Sequence, residues 1–82
     1  MMRIDKFLKV SRVIKRRTVA TDACSAGRVE INGKIAKPST EVKIGDIIQI
    51  RFGDKLTKVK VLDVKEVVRK EETSGMIEIL SS

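Results

Sequence analysis

Six basic residues stand between Lys6 and Thr21 with no acid among them: Lys6, Lys9, Arg12, Lys15, Arg16 and Arg17. Ammonium and guanidinium groups at this density hold phosphates. Ile4, Phe7, Leu8 and Ser11 recur at helical spacing around the first of them, so the charge rides on a folded scaffold. A fixed array of cations recruits a phosphate backbone. Arg16 and Arg17 fall where a second helix should begin, and there the backbone N–H groups are unpaired and the helix dipole is positive. Arg3, Lys6, Lys9 and Arg12 would extend the array along the first helix. A charge run is more often an ordinary solvated face. Here the missing acids argue for a ligand, because like charges crowded together cost stability unless something neutralises them.

The chain has no His, Trp or Tyr and one Cys. General acid–base work would fall to carboxylates or Lys, and the usual zinc ligand sets cannot be filled. No catalytic residue, cofactor or metal is therefore expected, and the protein reads as a non-enzyme. Cys24 reads as a small core residue, since a buried thiol behaves as a hydrophobe. It has no partner for an internal disulfide, which fits a reducing compartment. Asp5 and Asp22 are conceivable as an acid pair. More simply, Asp5 complements a helix dipole, and either acid orders the arginines around it.

The 82 residues read as one domain, 1–82, with a helical, polyanion-binding half over about 3–27 and a sheet over about 28–80. A chain this short buries roughly 60–65% of its unfolded surface, which leaves a thin core and little room for a substrate cavity. The net charge of +7 is unevenly spread. Residues 1–41 hold ten bases and four acids, whereas residues 42–82 hold eight and seven. Polyanion binding is thus expected in the first half. No apolar run approaches a membrane span and no signal-peptide core is visible, so a cytoplasmic monomer with no membrane partner is expected. The doubled Met1-Met2 reads as an extra start residue.

These residues need two helices and a sheet to position them. The spacing predicts a helix over 3–13 and a second over about 17–26, with Val19, Ala20, Ala23 and Cys24 as a small-residue face for close helix packing. Gly27 is a left-handed stop. Residues 28–31 and 34–36 read as strands around Asn32-Gly33, the strongest two-residue hairpin signal. Residues 39–42 cross to the next element, and Lys43-Ile44-Gly45-Asp46 reads as a tight turn. Strands are expected over 47–52, 56–65 and 76–80, with a loop or short helix over 66–75.

Helix two offers Thr18, Val19, Ala20, Thr21, Asp22, Ala23, Cys24 and Ser25, a face poor in the Arg, Asn and Gln that read base edges in DNA. No DNA partner is expected. Single-stranded binding modules stack bases on aromatics, and this chain has only Phe7 and Phe52. Recognition of folded RNA through its shape and backbone remains. Arg28 and Lys34 would continue the basic surface onto the hairpin, with Asn32 offering polar contacts at the turn.

Arg3-Ile4-Asp5-Lys6-Phe7-Leu8, then Lys15-Arg16-Arg17-Thr18, then Gly27-Arg28-Val29-Glu30-Ile31-Asn32-Gly33-Lys34 together resemble the alpha-L RNA-binding domain. That domain is named after the fourth protein of the small ribosomal subunit. Lys43-Ile44-Gly45-Asp46 before an apolar strand fits as well. Within that superfamily the chain resembles a short stand-alone branch of bacterial ribosome-associated quality control. Arg51-Phe52-Gly53 and Lys70-Glu71-Glu72 carry that likeness almost to the end. The resemblance implies binding to a large ribosomal subunit obstructed by peptidyl-tRNA, with contacts to ribosomal RNA and tRNA. It also implies support of alanine tailing of stalled chains together with a NEMF-type tailing factor. The heat-shock branch carries a basic tail beyond this module, and no counterpart is expected after Ser82.

The expected fold is α+β: two packed N-terminal helices, then a small, mostly antiparallel sheet. Two other readings stand beside the quality-control role. One is a heat-shock or ribosome-assembly RNA-binding protein, and the other an accessory subunit of an RNA-modifying enzyme.

Overall fold

The computed structural model describes residues 2–64 and 75–81. The elements run β1 (Met2–Arg3), α1 (Ile4–Val10), α2 (Arg17–Ser25), β2 (Val29–Ile31), β3 (Lys34–Ile35), β4 (Glu41–Val42), β5 (Ile47–Phe52), β6 (Lys55–Val61) and β7 (Ile77–Ser81). The fold is α+β as expected, and every described strand pairing is antiparallel. Among the described residues no helix is long and apolar enough to cross a membrane.

Helix α1 buries Ile4, Phe7 and Leu8, and Ser11 just past its end is buried too. The face predicted from spacing is therefore the one that packs. The helix is shorter than the 3–13 expected. Arg12 adopts a left-handed φ of 64°, which ends the helical run. The chain then folds back so that the Ile14 N–H donates to the Leu8 carbonyl at 3.0 Å, and Ile14 joins the core.

Helix α2 ends one residue before the expected limit. The Gly27 N–H donates to the Cys24 carbonyl at 3.0 Å and the Arg28 N–H to the Ala23 carbonyl at 2.9 Å. With Gly27 at φ 74° this is a Schellman cap. Ala20, Ala23 and Cys24 are buried, but Val19 is 41% exposed and leaves the small-residue face. The stripe that α2 buries is narrow, and Val19 lies on its flank.

The main sheet has the order β3-β2-β5-β6-β7. Val29, Ile48, Ile50, Val59 and Val61 point into the core, and their neighbours along each strand point out. Asn32 and Gly33 have φ of 51° and 85°, the two positive values a type I′ turn requires. The strands are shorter at some ends than expected: β2 begins at Val29, β3 ends at Ile35, and β6 covers Lys55–Val61, with 62–64 outside any strand and residue 65 of the expected 56–65 outside the described residues. The expected loop or short helix over 66–75 lies outside the described residues apart from Gly75.

One pairing was not anticipated. β1 pairs with β4, Met2 opposite Val42 and Arg3 opposite Glu41. The Ile4 N–H extends this ladder to the Thr40 carbonyl at 2.7 Å. The last two residues of the segment read as a crossing, Glu41–Val42, are thus a strand, and Met2 is part of the core at 2% exposure. A two-residue strand is too short to show any periodicity, and its partner lies far away in sequence.

Candidate nucleic-acid interface

The basic residues are organised by an acid. Asp5, in the first turn of α1, is 1% exposed. Its Oδ1 accepts the Lys6 backbone N–H at 2.7 Å. Its Oδ2 accepts a guanidinium N–H of Arg3 at 2.9 Å and faces the Thr21 hydroxyl at 3.2 Å. Arg17 Nη2 lies 3.7 Å from Oδ1. The Thr21 hydroxyl also lies 3.0 Å from the Arg17 carbonyl and shares its one proton between the two acceptors. A buried carboxylate is tolerated only when paired and hydrogen-bonded, and Asp5 is both.

Arg3 precedes α1 and Arg17 opens α2, so Asp5 ties the two helix starts together. The two arginine side chains remain 52% and 48% exposed. Each guanidinium thus has one side anchored and the other turned to solvent, and two positive charges share one negative one. Beside them the first turn of α2 has no side-chain cap, and its N-cap residue is Arg16. Fixed guanidinium forks next to backbone N–H groups without a side-chain cap are an arrangement suited to holding phosphate.

A family profile described as the S4 domain matches residues 2–48, which run from β1 into β5 and contain this whole array. The chain is 55% identical over 80 residues to the RQC P-site tRNA stabilizing factor of Streptococcus pneumoniae, covering 98% of this chain and 91% of that protein. It is 58% identical over 78 residues to the protein of the same name from Halalkalibacterium halodurans, covering 95% and 89%. The chain belongs to the S4-domain family of RQC P-site tRNA stabilizing factors. Among solved structures it is similar to the trimeric Heat Shock Protein 15 of Vibrio cholerae. There the TM-score is 0.88 at 30% identity, over 98% of this chain and 82% of that one.

The other predicted residues of this family member are spread over α1, the segment between the helices, and the hairpin beyond the far end of α2. Lys9, Arg12, Lys15 and Arg16 are exposed and Lys6 is half-buried. Arg28 is exposed just past α2, and Lys34 is exposed on β3. Asn32 is also exposed, but both ends of its amide are engaged. Its Nδ2 donates to Asp46 Oδ1 at 3.0 Å, and its Oδ1 accepts the Ile47 N–H at 3.0 Å. Asp46 in turn accepts the Lys43 N–H at 2.8 Å. Asn32 therefore braces the hairpin turn against the 43–46 turn.

Cys24 is buried as expected. Burial, and secondarily the negative charge of Asp5, push its thiol from 9.0 up to about 11. It stays protonated at neutral pH, unlike a nucleophilic thiolate. Sequence reasoning weighed Asp5 as an orderer of arginines, but it missed the extent of its burial and the part of Thr21. Asp22, its imagined acid partner, is exposed and is not bonded to it.

Proposed function

We propose that this protein is a non-enzymatic RNA-binding factor of ribosome-associated quality control. It acts in the cytoplasm and docks on the large ribosomal subunit obstructed by peptidyl-tRNA. Its helical face contacts ribosomal RNA and the tRNA, and a NEMF-type factor acts with it in alanine tailing of stalled chains. The observation that carries the reading is the pair Arg3 and Arg17 fixed on buried Asp5 at the uncapped start of α2. The names of the S. pneumoniae and H. halodurans relatives supply the setting. Holding a ligand in productive geometry accelerates a reaction without any catalytic group, which suits a chain without His and with a protonated thiol.

The test is recovery of tagged protein with obstructed large subunits. Wild type should co-sediment with them, Arg17→Ala should not, and cells carrying that variant should release stalled chains without alanine tails. Normal tailing in a deletion strain would refute the role. The likeness to Heat Shock Protein 15 supports a second reading, a heat-shock type RNA binder. Preference for free subunits over obstructed ones would favour it.

A further inference from the structure

A groove of about 290 Å3 lies between α2 and the end of β5. It is lined by Val19, Asp22, Ala23 and Ala26 along α2, by Arg28 just beyond, and by Phe52 at the end of β5. Its size is at the lower end of small-ligand sites, suited to one nucleotide rather than a larger molecule. The Arg51 N–H donates to the Arg28 carbonyl at 2.8 Å, which fixes Arg28 beside the strand that ends in Phe52.

Three properties distinguish this groove. Phe52 is half-buried and packs against the core, so its ring is held in place with part of it open. The other aromatic, Phe7, is fully buried. Asp22 and Arg28 are exposed, opposite in charge, and line one groove, yet neither side chain bonds the other or any other described residue. Finally, Val19 is the apolar residue that left the helix-packing face, and here it forms a wall. A larger groove of about 350 Å3 on the outer sheet face lacks this combination. There Gln49 donates to Glu30 at 3.3 Å, and Asn32 is committed to Asp46 and Ile47.

We infer that the α2–β5 groove receives a single unstacked guanine nucleotide of the bound RNA. Its base lies against Phe52 and Val19, its Watson–Crick edge meets Asp22, and its phosphate meets Arg28. The inference rests on the RNA-binding reading above and adds a base-specific element to it. An aromatic face binds any base by stacking. The choice comes from the acid. An ionised carboxylate only accepts hydrogen bonds. Guanine presents two adjacent donors on its Watson–Crick edge, N1–H and the N2 amino group, whereas the other three bases turn a lone pair towards one carboxylate oxygen. Arg28 compensates the repulsion between Asp22 and the nucleotide's own phosphate.

The experiment is titration of the isotope-labelled protein with the four nucleoside monophosphates, following backbone amide shifts. Guanosine monophosphate should perturb Val19, Asp22, Ala26, Arg28 and Phe52 and bind about tenfold more tightly than the other three, the discrimination of one bidentate base contact. Asp22→Asn should abolish the preference, and Phe52→Leu, which keeps the core filled, should weaken all four by about tenfold. Equal binding of the four nucleotides would overturn the guanine assignment. Shifts confined to the Arg16–Arg17 region would overturn the groove. Co-sedimentation with large subunits reads the broader proposal separately. A wild-type protein that binds subunits while no nucleotide shifts the groove leaves that proposal standing and removes this one.

Discussion

The helical half, residues 3–27, carries seven bases and two acids, the sheet half, residues 28–80, eleven bases and nine acids, and the two use them differently. In the sheet, charges and polar groups answer one another. Lys60 stands opposite Glu78, Gln49 bonds Glu30, and Asn32 bonds Asp46. In the helices the bases outnumber the acids, and the one buried acid serves to aim two of them. A cation with a neighbouring acid on the same face is screened from a distant phosphate. A cation anchored from behind, with its free side in solvent, is not. Placement of the surplus, rather than the count of bases, is what distinguishes the two halves.

Charge reversal tests this most directly. Arg16→Glu with Arg17→Glu should reduce large-subunit affinity by orders of magnitude and lower the slope of log K against log salt by about 1.5, roughly two lost phosphate contacts. Lys58→Glu with Lys60→Glu should change both far less. Equal losses from the two pairs would erase the distinction between the halves.

Removing the anchor should separate position from charge. Asp5→Ala leaves every cation in place but frees Arg3 and Arg17. Loss of its charge-assisted hydrogen bonds should cost about 1.5–3 kcal/mol in chemical denaturation. Subunit binding should weaken even though net positive charge rises. Tighter binding by this variant would mean that charge alone, and not the aiming of the arginines, governs the interaction.

The Gly33 turn should respond in stability and not in binding. Gly33→Val places a β-branched residue at φ 85°, where an added Cβ meets no atom within 4 Å. The penalty is therefore backbone strain, about 1–2 kcal/mol. Urea melts should show it, while the folded variant should still bind subunits. An unchanged melt would count against the type I′ turn.

The smallest effect concerns Cys24. Its folded-state pKa is raised, so the unfolded chain loses its proton first. The stability attached to the neutral thiol is complete below pH 9.0 and declines as pH rises towards about 11. Cys24→Ala should flatten that alkaline decline. Thiol reagents at neutral pH should label the native protein far more slowly than the unfolded one, and equally fast labelling would show the thiol to be accessible.

Local features of this molecule were legible because their causes are local. The i, i+3, i+4, i+7 spacing of Ile4, Phe7, Leu8 and Ser11 names a helix face whatever it packs against. Asn32-Gly33 is a hairpin turn by its own φ preferences, and Gly27 is a helix stop for the same reason. The end of α1 was misjudged because Arg12, a residue that ordinarily continues a helix, is drawn into a left-handed conformation as Ile14 folds back into the core.

The amino-acid order by itself determined the packing face of α1, the stop of α2 at Gly27, the hairpin, and the concentration of cations between Lys6 and Thr21, since each depends on neighbours a few residues apart. Tertiary structure alone decided the pairing of Met2–Arg3 with Glu41–Val42, the joining of Arg3, Arg17 and Thr21 on Asp5, and the meeting of Asp22, Arg28 and Phe52 at one groove. Those contacts bring together residues distant in the chain. Nothing in a two-residue strand or a lone aspartate marks its partner until the core of the fold has closed around them.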